Sequence, residues 1–244
     1  MSMKRFAPLY ILSLVLSGTA GLSSEPVHAD ERVDDPAESV NRAIFAANQF
    51  VDRNLLRPIA EGYHKAVPTQ AQSMVGNFVS NLSQPTVLVN DVLQGNARRA
   101  WNTTQRFTVN STVGVAGLFD PATEFNLPHH SADFGQTFGV WGVKPGPAVQ
   151  LPLLGPSNVR DTVGSVVNSF ANPVSFIPGN AMANVRFTRS ALSAVDGRAR
   201  QLEKTKALEG SSGDYYVASR DAQARKQAAL VAEAKQGHVH LPRR

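Results

Sequence analysis

Between Asn77 and Asp161 no apolar run extends more than a few residues before a glycine, proline or asparagine interrupts it. The pattern recurs as Asn77-Phe78-x-x-Asn81-Leu82-x-x-Pro85, as Val89-Asn90-x-x-Leu93-Gln94-Gly95, and as Arg106-Phe107-x-x-Asn110-Ser111-Thr112-x-Gly114-x-x-Gly117-Leu118-Phe119-Asp120. It continues through Asp133-Phe134-Gly135-x-Thr137-x-Gly139 and Gly142-Val143-x-x-Gly146-Pro147, and closes on Leu151-Pro152-Leu153-Leu154-Gly155-Pro156-Ser157 and Arg160-Asp161. Glycine adds backbone freedom that folding must remove, and proline deletes a hydrogen-bond donor. A chain punctuated this way builds short helices and turns, and between residues 114 and 156 it allows at most one hairpin.

Around this stretch the helical periods are clear. Asp35, Pro36 and Glu38 read as a capping box with proline at the first helical position, and Val40, Ala43, Ile44, Ala47, Val51 and Leu55 follow at helical spacing. Residues 69–81 carry a stripe of Ala71, Met74, Val75, Phe78 and Val79, continuing to Leu82, which Pro85 is expected to end. A further short helix is expected over 86–93, stopping at Gly95. Over 97–113 the expected face is Ala100, Trp101, Thr104, Phe107 and Ser111, with Arg98, Arg99, Gln105 and Arg106 elsewhere. Helices return over 161–169 and 180–208, a break falls at 210–213, and the residues from Gln236 onward are expected to fray.

Lys4 and Arg5 precede an apolar run from Phe6 to Leu16, and Val27-His28-Ala29 supplies small residues for cleavage. This predicts a signal peptide over 1–29, an exported protein and a mature start near Asp30, with Ala20 as a second cut. The run is shorter than the roughly 20 residues that cross a bilayer, so a spanning helix is not expected. The chain has no cysteine, which excludes disulfides, thiol chemistry and cysteine metal sites. From Asp30 to Val185 there are 10 Lys and Arg against 12 Asp and Glu, whereas Arg186 to Arg244 holds 12 against 6. The basic surplus therefore sits in the tail, where it suits a solvated helix face or anionic lipid head groups better than base readout, so no nucleic acid is expected.

His129-His130-Ser131-Ala132-Asp133 invites a metal or hydrolase reading, because His129 and Asp133 would share one face of a helix. Pro128 and Gly135 flank the group, and the chain contains no Gly-x-Ser-x-Gly elbow or phosphate-binding Gly-Lys loop. The chain is therefore read as a non-enzyme with no catalytic residue, metal or cofactor. Asn41, Asn48, Asn77, Asn81, Asn90 and Asn110 recur beside apolar stripes. Two readings suit them: amides that bond each other and cap helices, or the lining of a hydrated channel.

The punctuated motifs resemble those of the VacJ-like, or MlaA-type, family, and the likeness begins upstream at Asp35-Pro36-x-Glu38-x-x-Asn41-Arg42-x-x-Phe45-x-x-Asn48 and Arg57-Pro58-x-Ala60-x-x-Tyr63. It covers the mature chain to about Tyr216, and departs from the family where Gln223 stands in place of an expected tyrosine. The resemblance implies an all-α single domain over 30–216, a ring of short amphipathic helices around a central channel, followed by a basic helix and disordered tail over 217–244. It implies removal of mislocalised phospholipid from the outer leaflet of the outer membrane and transfer through that channel to a periplasmic lipid carrier, beside a trimeric porin. Family members commonly carry an acylated cysteine, whereas Ser17-Gly18-Thr19-Ala20-Gly21 stands at that position here. Outer-membrane residence at the periplasmic face must then come from apolar surface. A soluble periplasmic lipid-binding or structural protein is the alternative. The expected channel residues are Asn41, Phe45 and Asn48, and the expected loop or gate is Asp133, Phe134, Gly135, Gly139, Gly142, Gly146 and Pro147.

Overall fold

The structure, a computed structural model, describes residues 33–171 and 180–237, with backbone alone at 171 and over 180–189. The expected leader at 1–29 and the end of the tail lie outside the described residues. Helices α1 (Glu38–Val51) and α2 (Arg57–Ala66) form one rod through a π-helical turn, Asp52–Leu56. Pro58 has no N–H, and in a regular α-turn its ring would meet the carbonyl of residue 54. The widened turn accommodates it, with the Arg57 N–H bonding the carbonyl of Asp52. The expected capping box does not form. The Asp35 side chain turns away, and Glu38 pairs with Arg42 at 2.7 Å.

α3 (Thr69–Leu93) continues past Pro85, so the two helices expected on either side of that proline are one. Buried Asn81, Gln84, Val87, Asn90 and Asp91 pack it along α4 (Ala97–Thr112), and tertiary packing outweighs the lost donor. The turn between them places Gly95 at φ +71°, and the Asn96 side chain caps α4 by accepting from the Arg99 N–H. After the short α5 (Pro121–Glu124), α6 (Phe134–Val140) begins on a cap from Asp133. One hairpin follows, β1 (Ala148–Leu151) antiparallel to β2 (Gly155–Asn158), with Ala148 opposite Asn158.

α7 (Val159–Ala171), α8 (Asn180–Ser211) and α9 (Tyr215–Gln236) complete the fold. It is all-α apart from the hairpin. α8 packs on α2 and α3, where Ala60, Ala199 and Leu202 make a small apolar core with Tyr63. α6 is held between α7 and α9. At the α6–α7 crossing a Cβ on Gly164 would lie 2.3 Å from the Gly135 nitrogen, so the two backbones meet directly there. No helix among the described residues is long and apolar enough to cross a membrane.

Candidate functional site

Burial in this protein runs opposite to the usual order. Among the described residues the bulkiest fully buried side chains are Arg99, Gln136, Asn90, Thr103, Thr137 and Asp91, all polar or charged, whereas Phe50, Leu55, Trp101, Trp141, Leu153, Leu154 and Phe170 are more than half exposed. Water-soluble domains bury aliphatic residues and leave charges outside. The α7 stripe of Val159, Val163, Val166 and Phe170 is 46–74% exposed along its whole length. At about 1.5–3 kcal/mol for a fully buried side chain of this size, keeping that stripe in water costs on the order of 4 kcal/mol.

Polar groups on the outer face are internally satisfied as well. On α4, Thr104, Thr108 and Thr112 each donate to the carbonyl four residues back, at 2.9, 2.9 and 2.7 Å. Ser165 and Ser169 do the same on α7. Hydroxyls closed onto their own helix need no water, so they suit an apolar surrounding. The expected face of α4 is thus reversed. Trp101 and Phe107 face outward, while Arg99, Asn102, Thr103, Arg106 and Asn110 form the buried stripe. The apolar stripe of α1 is likewise turned outward at Val40, 58% exposed, with Asn41 buried instead.

The interior is built from charge-bearing nodes. Asp91 accepts from the Thr103 hydroxyl at 2.6 Å and contacts His130 Nε2 at 2.9 Å, with Arg99 Nε 3.7 Å from its other oxygen. Burial pulls the Arg99 guanidinium below its ordinary pKa, and Asp91 and Glu233 oppose that pull. In a second node Arg106 forks onto Asp120 at 2.8 and 2.9 Å and also reaches the Leu127 carbonyl. Asn110 donates to Asp120 and accepts from the Ala122 N–H. A third node ties the segment before α1 to α9, since Asp35 accepts from Asn41 at 2.7 Å, from the Tyr216 hydroxyl and from Arg220 at 3.2 Å. Burial raises the Asp35 carboxyl, but those donors outweigh it and hold the group below its ordinary value. Burial, then the bond to Asp35, pushes the Tyr216 phenol up to about 12.

The structure brings Asn41, Phe45 and Asn48 onto one face, and their amides are committed to the hairpin. Asn41 donates to the Ala148 carbonyl at 3.1 Å and accepts from the Gln150 N–H at 2.9 Å, and Asn48 bonds the Leu151 carbonyl and Leu153 N–H, each at 2.8 Å. Phe45 meets Tyr215 and Tyr216 edge-on, with ring centres 5.4 Å apart. Three of the seven residues expected to form a loop or gate lie in a packed helix, and Asp133 caps it. Phe134, Gly135 and Gly139 are buried in α6, where a Cβ on Gly139 would strike Val231 and Arg160. Only Gly142 and Gly146, at φ +93° and +69°, and Pro147 lie in the following turn region. His129, His130 and Asp133 do not share a helix face. His129 contacts Ser80 at 2.9 Å, His130 joins Asp91, and Asp133 caps α6, on a segment with no helical turn. Burial lowers the pKa of His129 and raises that of Asp133. Sequence reading missed the Asp91–Thr103–His130 node. Its signal was the polar period of 99, 103, 106 and 110 along α4.

Large apolar side chains left exposed beside buried, hydrogen-bonded polar ones define an all-α protein of amphipathic helices. The chain belongs to the MlaA lipoprotein family, whose profile matches residues 33–229 and so reaches well into α9. An uncharacterised protein of Rickettsia felis is 36% identical over 200 residues, covering 82% of this chain and 78% of the relative. The intermembrane phospholipid transport system lipoprotein MlaA of Escherichia coli is 33% identical over 195 residues, covering 77% and 74%. A solved structure described as the structural basis for maintenance of bacterial outer membrane lipid asymmetry aligns with a TM-score of 0.71 at 30% identity, covering 81% of this chain and 99% of that one.

Proposed function

We propose that this chain is a non-enzymatic conduit for phospholipid between membranes. It sits in the periplasmic leaflet of the outer membrane, takes mislocalised phospholipid from the outer leaflet, and passes it through a polar passage enclosed by its helices to a periplasmic lipid carrier. A trimeric porin is the neighbour implied by family resemblance. The single observation that carries the reading is the inverted burial: lipid tails cost about 0.8 kcal/mol per methylene in water, so a carrier must offer them apolar surface while giving the head group polar company. Both are present here. The exposed apolar side chains also supply membrane affinity in a chain without a cysteine. In this reading Asn41 and Asn48 act by fixing the hairpin to α1, Phe45 by packing α1 against Tyr215 and Tyr216, and the segment from Asp133 to Pro147 frames the rim.

Tryptophan quenching tests the insertion. Trp101 is 65% and Trp141 55% exposed, so vesicles with brominated acyl chains should quench both, and the protein should float with the vesicles. Val166→Glu places a charge in the α7 stripe and should weaken flotation, since a charge at membrane depth costs about 2.5–3.5 kcal/mol. A protein that neither floats nor quenches refutes the embedded reading in favour of the soluble lipid-binding alternative.

A further inference from the structure

An apolar groove lies between the N-terminal half of α3 and the loop after α4. The groove there has a volume of about 420 Å³, with Met74, Val113, Leu118 and Phe119 as its apolar lining and Ser73 and Glu124 among its polar residues. The loop that shapes it is held in a costly conformation. Val115 and Ala116 sit at φ +51° and +56°, followed by Gly117 at +90°, three successive left-handed residues of which two are not glycine. A left-handed non-glycine residue costs about 1–2 kcal/mol, and a β-branched one is rarer still. The surroundings enforce it. The Asn77 amide donates to the Leu118 carbonyl at 3.3 Å, the Gly117 N–H bonds the Asn110 carbonyl at 2.7 Å, and a Cβ on Gly117 would fall 2.4 Å from Asn81 Cβ.

This strain leaves Val113, Val115 and Phe119 pointing out, 65%, 56% and 52% exposed. Stored backbone strain concentrates where the chain must present a particular surface. No ionisable residue occurs from Phe107 to Phe119. Asp120 is neutralised by Arg106 and filled by Asn110 and Thr123. Glu124 is different, an exposed carboxylate with no ion pair among the described residues.

We propose that this groove holds one acyl chain of a phospholipid whose head group carries an ammonium, with Glu124 facing that ammonium. A phosphoglycerol head group offers Glu124 hydroxyl donors but no cation, and its phosphate charge is left without compensation there. The inference rests on the lipid-conduit reading and adds to it a site and a head-group preference.

The test uses the full chain in vesicles of equal parts phosphatidylethanolamine and phosphatidylglycerol. Each lipid is supplied in turn as a probe with a photoreactive diazirine in its acyl chain, and the labelled peptides are mapped by mass spectrometry. Label from the ethanolamine probe is expected at Met74, Val113 and Phe119. Ser73→Trp fills the groove and should cut that label about tenfold, equivalent to 1.4 kcal/mol. Glu124→Gln should keep the label but erase a two- to fivefold preference for the ethanolamine probe, the range of about 0.4–1 kcal/mol of an exposed ion pair. Because Glu124 is an exposed position with an isosteric replacement, this arm remains decisive even if Ser73→Trp does not fold. Label spread evenly over all exposed apolar residues, or a head-group preference unchanged in Glu124→Gln, overturns the proposal. Flotation measured on the same samples separates the two readings: floating protein with an unlabelled groove sinks only this inference, and protein that does not float sinks the conduit reading.

Discussion

Replacing Asn41 by alanine removes three hydrogen bonds from a side chain that is 4% exposed. Two are to neutral backbone groups of the hairpin, and in a buried setting each contributes about 1 kcal/mol. The third goes to the carboxylate of Asp35 at 2.7 Å, and a bond to a charged group contributes about 1.5–3 kcal/mol. Asn41→Ala should therefore destabilise the fold by about 4 kcal/mol, a large share of the roughly 5–15 kcal/mol that holds a typical domain together. Asn41→Asp should cost more, because it sets a second carboxylate against Asp35 and takes the donor from the Ala148 carbonyl. Asn48→Ala is the control. Its two bonds are to backbone groups that water can partly serve, and about 1 kcal/mol is expected. Guanidinium unfolding in a non-ionic detergent gives the energies, and amide exchange over Val149 to Leu153 shows whether the hairpin loosens. If Asn41→Ala abolishes lipid transfer while costing less than about 1 kcal/mol, with hairpin exchange unchanged, the clamp argument is wrong and the amide serves the lipid path directly.

Three further outcomes are expected. Tyr216 is raised to about 12 from an ordinary 10, so the folded state holds the phenol proton more tightly than the unfolded one. Its contribution is complete below pH 10 and is lost as the pH climbs toward 12, and Tyr216→Phe should flatten that part of the thermal-midpoint profile. Asp35 behaves oppositely. Its carboxyl lies below the ordinary 3.8, so its contribution stands above that pH and is lost as the pH falls further, and Asp35→Asn should remove this acid-side loss. Gly164→Ala drives a methyl into the Gly135 backbone and should cost about 3 kcal/mol or more, whereas Gly62→Ala, in open space on α2, should stabilise by about 0.5–1 kcal/mol, both read by chemical unfolding.

Helix existence was legible in the sequence because the 3.6-residue period and the glycine and proline breaks are local properties. They placed α1, α4, α7 and α8, and left room for one hairpin without locating it. Pro85 misled, because the cost of one missing donor is local while the packing of α3 along α4 is not. The same distinction holds for the sites. The motif residues Asp35, Asn41, Asn48 and Tyr216 stand out in the sequence, but their joining into a clamp between α1, the hairpin and α9 depends on contacts between residues over a hundred positions apart. A period of 3.6 gives a helix two faces without saying which one is inside. Only the tertiary structure decided that, placing Arg99, Asp91 and Thr103 within and Trp101, Val166 and Phe170 without, because the direction of burial depends on which neighbours and which solvent each face meets.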